Sequence, residues 1–258
     1  MSSGDIKHKF TCNVPNIEGG WVKPENWNDE HDFILYVTDM SDVLLTNIAN
    51  RQFLKWNSST GVWENYYLLD RWDDLRVEPI ARLTGANAPS FEKYYDDAAG
   101  TSRGVYLYSF DDAPAGSEKE IHFTMQMPHD WNGGDVHIHV HWIGAVADTD
   151  ATPRWGLEFI WKNIGQVFGD TIIIYAVGNE QGDTNIIANK HYITEFIAQT
   201  PDGTQNGLST ILIGRLFRDS GNAADTYNSA GAKCGLLYID AHYVKDAIGS
   251  YLEYQKEP

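Results

Sequence analysis

An antiparallel β-sandwich, jelly-roll-like and all-β, is the fold class this sequence predicts, and three observations predict it. Nine Trp, fourteen Tyr and twenty-three Gly in 258 residues favour pleated sheets and tight turns over helices. From residue 104 onward, strand-sized segments recur with turn signals between them, at 104–110, 119–127, 136–144, 155–162, 171–177, 190–199, 208–217, 234–243 and 249–254. Within several of these segments apolar and polar residues alternate, which is the period of a sheet with one buried face. No heptad run and no repeat of about 20–50 residues competes with this reading.

Taken in order, residues 1–32 are polar, broken by Pro15, Gly19, Gly20 and Pro24, and read as an extended arm that anchors through Trp21 and Trp27. Residues 33–69 read as a small β module and a candidate anchor. It holds a strand from Phe33 to Thr38 and a hairpin from Gln52 to Tyr67 that turns at Ser58-Ser59-Thr60-Gly61. The sandwich domain spans 70–258, and its first stretch, Asp70 to Arg76 followed by a Pro-, Gly- and Asn-rich segment to about 103, reads as the connection into it. Asp148-Thr149-Asp150 and Gly178 to Asn185 supply turns between the later strands.

Alternation sorts the strand faces. Ile121, Phe123, Met125 and Met127 share one side, as do Val136, Ile138, Val140 and Trp142, and Trp155, Leu157, Phe159 and Trp161; these are the expected core. The reverse sides carry His122, Thr124 and Gln126, then His137, His139 and His141, then Glu158. With Leu237, Ile239 and Ala241 inward, Tyr238, Asp240 and His242 join the polar side, giving one unusually His-rich face.

Three His at alternate positions of one strand span about 13 Å, so two neighbours can share an ion but all three cannot. His137, His139 and His141 are therefore candidate metal ligands, with Glu158, Asp240 and His242 available to complete a site. Metal-dependent cupins pair a His-x-His strand with a nearby Glu, but here Trp142-Ile143-Gly144-Ala145 follows, which weakens a cupin-like enzyme reading. The competing reading makes His122, Glu158, Asp240 and His242 part of a wet subunit interface, where polar groups are satisfied by a second copy. In that case identical His can also converge on a symmetry axis. No cofactor is expected beyond a structural metal ion.

Charge and motifs exclude other classes. Nineteen basic against thirty-six acidic residues give a net charge of −17, the wrong sign for binding nucleic acid through phosphates. No apolar run reaches the roughly 18–20 residues of a membrane span, and Met1-Ser2-Ser3-Gly4-Asp5 opens without a secretory h-region. Folding in the cytoplasm where the chain is made is the expectation. Cys12 and Cys234 form no metal or disulfide framework. Neither a nucleophile elbow nor a phosphate loop is present. The acidic pairs Asp73/Asp74, Asp96/Asp97 and Asp111/Asp112 lack EF-hand spacing and read as solvated turn carboxylates.

Seven short motifs occur in a fixed order: Trp72-Asp73-Asp74-Leu75-Arg76, Met127-Pro128-His129-Asp130-Trp131, His139-Val140-His141-Trp142, Trp155-Gly156-Leu157-Glu158-Phe159, Arg215-Leu216-Phe217-Arg218-Asp219, Ala224-Asp225-Thr226-Tyr227 and Asp240-Ala241-His242-Tyr243. Together, over roughly residues 70–258, they resemble a widespread group of tailed-phage and prophage virion proteins. The resemblance implies a non-enzymatic virion component: a capsid decoration or head-fibre protein, or a tail-associated one. It implies a homo-oligomer, a trimer by analogy, docked on other capsid or tail proteins, and no reaction. A receptor- or glycan-binding module for host attachment is the alternative within the same setting, and a cupin-like metalloenzyme is the third reading.

Overall fold

The structure, a computed structural model, describes residues 41–47, 52–67, 71–79, 87–199, 209–246 and 249. The expected arm with Trp21 and Trp27, the strand at 33–38 and the body of the one at 249–254 lie outside the described residues. Two compact units are present. The smaller holds most of β1 (Val43–Leu44), β2 (Gln52–Asn57) and β3 (Val62–Tyr67), in the order β1-β3-β2. The turn expected at Ser58 to Gly61 forms: Gly61 sits at φ 68° and donates its N–H to the Asn57 carbonyl at 2.8 Å. Trp56 and Trp63 meet edge to face across the hairpin, with ring centroids 5.6 Å apart.

The larger unit is the sandwich. Its strands are β4 (Arg71–Val77), β5 (Ser90–Tyr95), β6 (Val105–Asp111), β7 (Glu120–Gln126), β8 (Trp131–Gly144), β9 (Arg154–Lys162), β10 (Ile172–Val177), β11 (His191–Glu195), β12 (Ile211–Arg218) and β13 (Lys233–Lys245). No helix occurs among the described residues. One sheet has four strands in the order β10-β9-β12-β7. The other runs β11-β8-β13-β6-β5, with β4 also paired to β13. The long strand β13 is central: β8 runs along one edge, while the other edge pairs first with β6 and then with β4.

The segment 70–103, expected as a connection, supplies β4 and β5. In β4 only Leu75 and Val77 face the core, and the apolar signal is thin because Asp73, Asp74 and Arg76 interrupt it and Trp72 points outward. Leu237 was expected to point inward; instead the β13–β8 register shifts between Leu236 and Tyr238, so Leu236 is buried and Leu237 is the bulge residue. That one-residue shift keeps Tyr238, Asp240 and His242 on the outer side, opposite His141, His139 and His137.

Side chains of both sheets form one core, from Ile121, Phe123, Met125, Val136, Ile138, Val140, Trp142, Trp155, Leu157, Phe159 and Leu216, as alternation predicts. Phe110 meets Trp155 edge to face at 5.2 Å, and Trp131 stacks on Trp161 at 6.5 Å, tying the sheets together. Cys234 is a free thiol buried among these side chains; burial pushes it up to about 12 despite Arg218 nearby, so it packs as a small apolar residue.

Gly156 of β9 is required by its neighbour. A Cβ placed there would lie 2.2 Å from the Phe217 ring, which covers the glycine from the adjacent strand β12. Gly156→Val is expected to cost about 1–3 kcal/mol, the range for overpacking a filled site. Urea unfolding of variant and parent measures this, and an unchanged midpoint would contradict it.

Candidate functional site

The outer face of the six-stranded sheet carries a polar cluster built by register. Directly paired residues of an antiparallel sheet project to the same side, with Cβ atoms about 4.5–5.5 Å apart. Pairing aligns Glu195, His139, Asp240 and Arg76 in one row across β11, β8, β13 and β4. The next row is His137, His242 and Asp74. Carboxylates and imidazoles are therefore brought side by side across the strands, Glu195, His139 and Asp240 in one row and His137, His242 and Asp74 in the next.

The contacts are short. His139 Nδ1 lies 3.3 Å from Asp240 Oδ1, and His141 Nε2 lies 3.2 Å from Asp240 Oδ2. His242 Nε2 is 3.4 Å from the same Oδ2 and 3.0 Å from Asp74 Oδ1. On the other flank Glu195 pairs with His137 Nδ1 and sits 3.5 Å from His139 Nε2. His141 Nδ1 meets His191 Nε2 at 2.8 Å. Aromatic groups cover the cluster: Tyr238 stacks on His141 at 4.0 Å, Arg76 lies over the Tyr238 ring at 5.0 Å, and Trp72 meets His137 edge-on at 5.1 Å.

The centre is buried although it faces away from the core. The side chains of His139, His141 and Asp240 are 8%, 6% and 4% exposed, whereas His242 is 33% and Asp74 66% exposed. Burial alone would raise the Asp240 carboxyl, but the facing imidazoles of His139, His141 and His242 hold it well below the usual carboxylate range. Burial likewise opposes a charged His139, yet Asp240 and Glu195 on its two sides raise its pKa. Glu195 is lowered because its two imidazole partners outweigh desolvation. His191 is lowered by burial and by the neighbouring His141.

The residues singled out from sequence are thus distributed as follows. His139, Asp240 and His242 converge, with donor atoms all within 4.8 Å of one another. His137 and His141 flank them and pair with Glu195 and with Asp240 and His191. His122 and Glu158 do not join: they lie on β7 and β9 of the four-stranded sheet, joined through Arg215 of β12. A single His-rich face containing all of them is therefore corrected. Alternation separates inward from outward residues but does not say which of two sheets a strand enters. Asp74, His191 and Glu195 were missed as members. Asp74 had a signal, since Trp72, Asp74 and Arg76 alternate against Leu75 and Val77.

Around Glu158 a second network forms. Arg215 donates from Nε and Nη2 to Glu158 Oε2 at 3.0 and 2.6 Å and from Nη1 to Glu120 Oε2 at 2.6 Å. Thr171 donates its hydroxyl to Glu158 Oε1 at 2.7 Å. The Thr171 bond and the Arg215 guanidinium hold the Glu158 carboxyl below its ordinary 4.5. A depressed folded-state pKa gives stability that is complete above the unfolded value and is lost as pH falls through the folded one. The difference in thermal midpoint between the parent and Glu158→Gln is expected to be widest above pH 4.5 and to close below it. A difference that stays constant into strong acid would contradict this.

No known protein-family model matches the chain, and no curated protein matches it.

Proposed function

We propose that this chain is a non-enzymatic structural protein of a tailed-phage virion, a capsid decoration, head-fibre or tail-associated component that works as an oligomer. The observation that carries the reading is the use the fold makes of the seven ordered motifs. Trp155, Arg218, Asp225 and Tyr227 are buried framework residues, and Arg218 clamps Asp225 with both side chains 0% exposed. Asp74, His139, His141, Asp240 and His242 come from three other motifs and meet on adjacent strands. The resemblance therefore rests on residues that shape and brace a sheet.

Other features support it. The polar cluster faces away from the layer between the sheets, and its centre is too covered to admit a substrate of ordinary size, which disfavours a cupin-like enzyme. The outer face of the four-stranded sheet exposes Ile173, Tyr175 and Ile213 around the Arg215 network, the kind of apolar surface that a self-associating protein covers. Among the described residues no helix is long and apolar enough to cross a membrane.

A receptor- or glycan-binding role is the second reading, favoured by the exposed Phe91 stacked on Tyr106 at 5.5 Å, since flat rings of this kind can stack on sugars. Light scattering on the purified full chain tests the oligomer: the expected mass is three times 29.1 kDa, and a 29.1 kDa species at every concentration contradicts it. Preincubating host cells with that protein separates the readings. Unimpaired phage adsorption is expected of a structural component, and blocked adsorption transfers the assignment to receptor binding.

A further inference from the structure

We propose that His139, Asp240 and His242, with Asp74 as fourth ligand, bind one first-row divalent ion of the zinc class as a structural clamp joining β8, β13 and β4. The first support is an unmet need for partners. His139 Nδ1 and Asp240 Oδ1 are buried without any hydrogen-bond partner, although they face each other at 3.3 Å in side chains that are 8% and 4% exposed. Buried polar atoms are almost always satisfied, so two orphans aimed at one point mark a place for a third atom.

The second support is spacing. Around an ion with bonds of about 2.0–2.2 Å to nitrogen and oxygen, the edges of a tetrahedron are about 3.3–3.6 Å long. Here His139 Nδ1 lies 3.3 Å from Asp240 Oδ1, His242 Nε2 lies 3.4 Å from the other carboxylate oxygen, Oδ2, and 3.0 Å from Asp74 Oδ1. With one donor atom taken from each, His139, Asp240 and His242 lie within 4.8 Å of one another, a spacing that small side-chain shifts close onto one ion.

The third support is the surrounding shell. A ligating histidine commonly gives its other ring nitrogen to a carboxylate, which fixes its orientation. His139 has that arrangement: Nδ1 faces Asp240, and Nε2 faces Glu195 at 3.5 Å, itself held by His137. Two imidazoles and two carboxylates suit zinc and its first-row neighbours, whereas calcium and magnesium prefer oxygen alone. Four protein donors close the coordination sphere, as in structural sites. The partly exposed His242 and Asp74 leave a way in for the ion.

The test uses the full chain purified without chelator and with any affinity tag removed. Elemental analysis is expected to find about one zinc-class ion per chain. After stripping with a chelator, titration with Co²⁺ is expected to give visible d–d bands that saturate at one equivalent, and added Zn²⁺ to displace them and raise the thermal midpoint. His242→Ala, at a partly exposed position, abolishes the bands while far-ultraviolet circular dichroism stays unchanged. Glu195→Gln weakens binding by about 10–100-fold. His122→Ala, on the other sheet, leaves binding as in the parent. A chain that carries no ion as isolated and shows no bands with excess Co²⁺ overturns the proposal, as does a His242→Ala variant that binds as tightly as the parent.

Discussion

Replacing Arg218 with Ala is expected to remove about 3–5 kcal/mol of stability, the cost of leaving one member of a buried ion pair without its partner. For a domain of this size that lowers the thermal midpoint by roughly 6–20 °C. The magnitude follows from how completely the guanidinium is used. Its Nε and Nη2 donate to Asp225 Oδ2 and Oδ1 at 2.9 and 2.8 Å, its Nη1 to the carbonyls of Phe110 and Ala232 at 3.2 and 3.4 Å, and its Nη2 also to the Tyr227 carbonyl. All five N–H groups are satisfied in a setting with no water contact. Lysine cannot reproduce that fork, so Arg218→Lys is expected to be nearly as damaging. By contrast, Arg215→Ala removes a pair of bridges at a site 29% exposed and is expected to cost less than about 1 kcal/mol. Thermal unfolding of the three variants checks the order. Equal losses for Arg218 and Arg215 would mean that the buried clamp contributes no more than a surface pair.

Trp142→Ala is the second large expected effect, a loss of about 3–5 kcal/mol. Trp142 is fully buried in β8, stacks on Tyr192 of β11 at 4.8 Å, and donates its indole N–H to Thr194 Oγ1 at 3.0 Å. Phenylalanine keeps part of the stacking area but leaves that donor's place unfilled. Trp155, equally buried, has an indole N–H without a partner. Trp155→Phe is therefore expected to cost less than Trp142→Phe, by about the 0.5–1.5 kcal/mol of one hydrogen bond. Chemical denaturation of both Phe variants tests the difference, and the reverse order would contradict the assignment of these two indoles.

The fold was legible where alternation was strong. Ile121 to Met127, Val136 to Trp142 and Trp155 to Phe159 read correctly as inward rows because their residues are large, apolar and strictly spaced by two. It was illegible where charge interrupts the pattern, as in β4, or where a bulge shifts parity, as at Leu237. The site was half legible. His139, Asp240 and His242 stand out by type and spacing, but their convergence depends on β13 pairing with β8 and β4, and pairing is a long-range choice that no local pattern records. The same limit placed Glu158 beside His139 in expectation and on the opposite sheet in fact. Arg218 and Asp225, seven residues apart and both fully buried, carried no sign of burial in sequence, since charged residues are seldom buried unless paired.

The reading of this chain as a virion component is tested most directly by its copy number in phage particles purified through a density gradient and quantified by mass spectrometry against the major capsid protein. A fixed number of copies per particle is expected, co-migrating with infectivity through the gradient. Recovery of the chain only in the soluble fraction of lysed cells, with none in the particles, would contradict it.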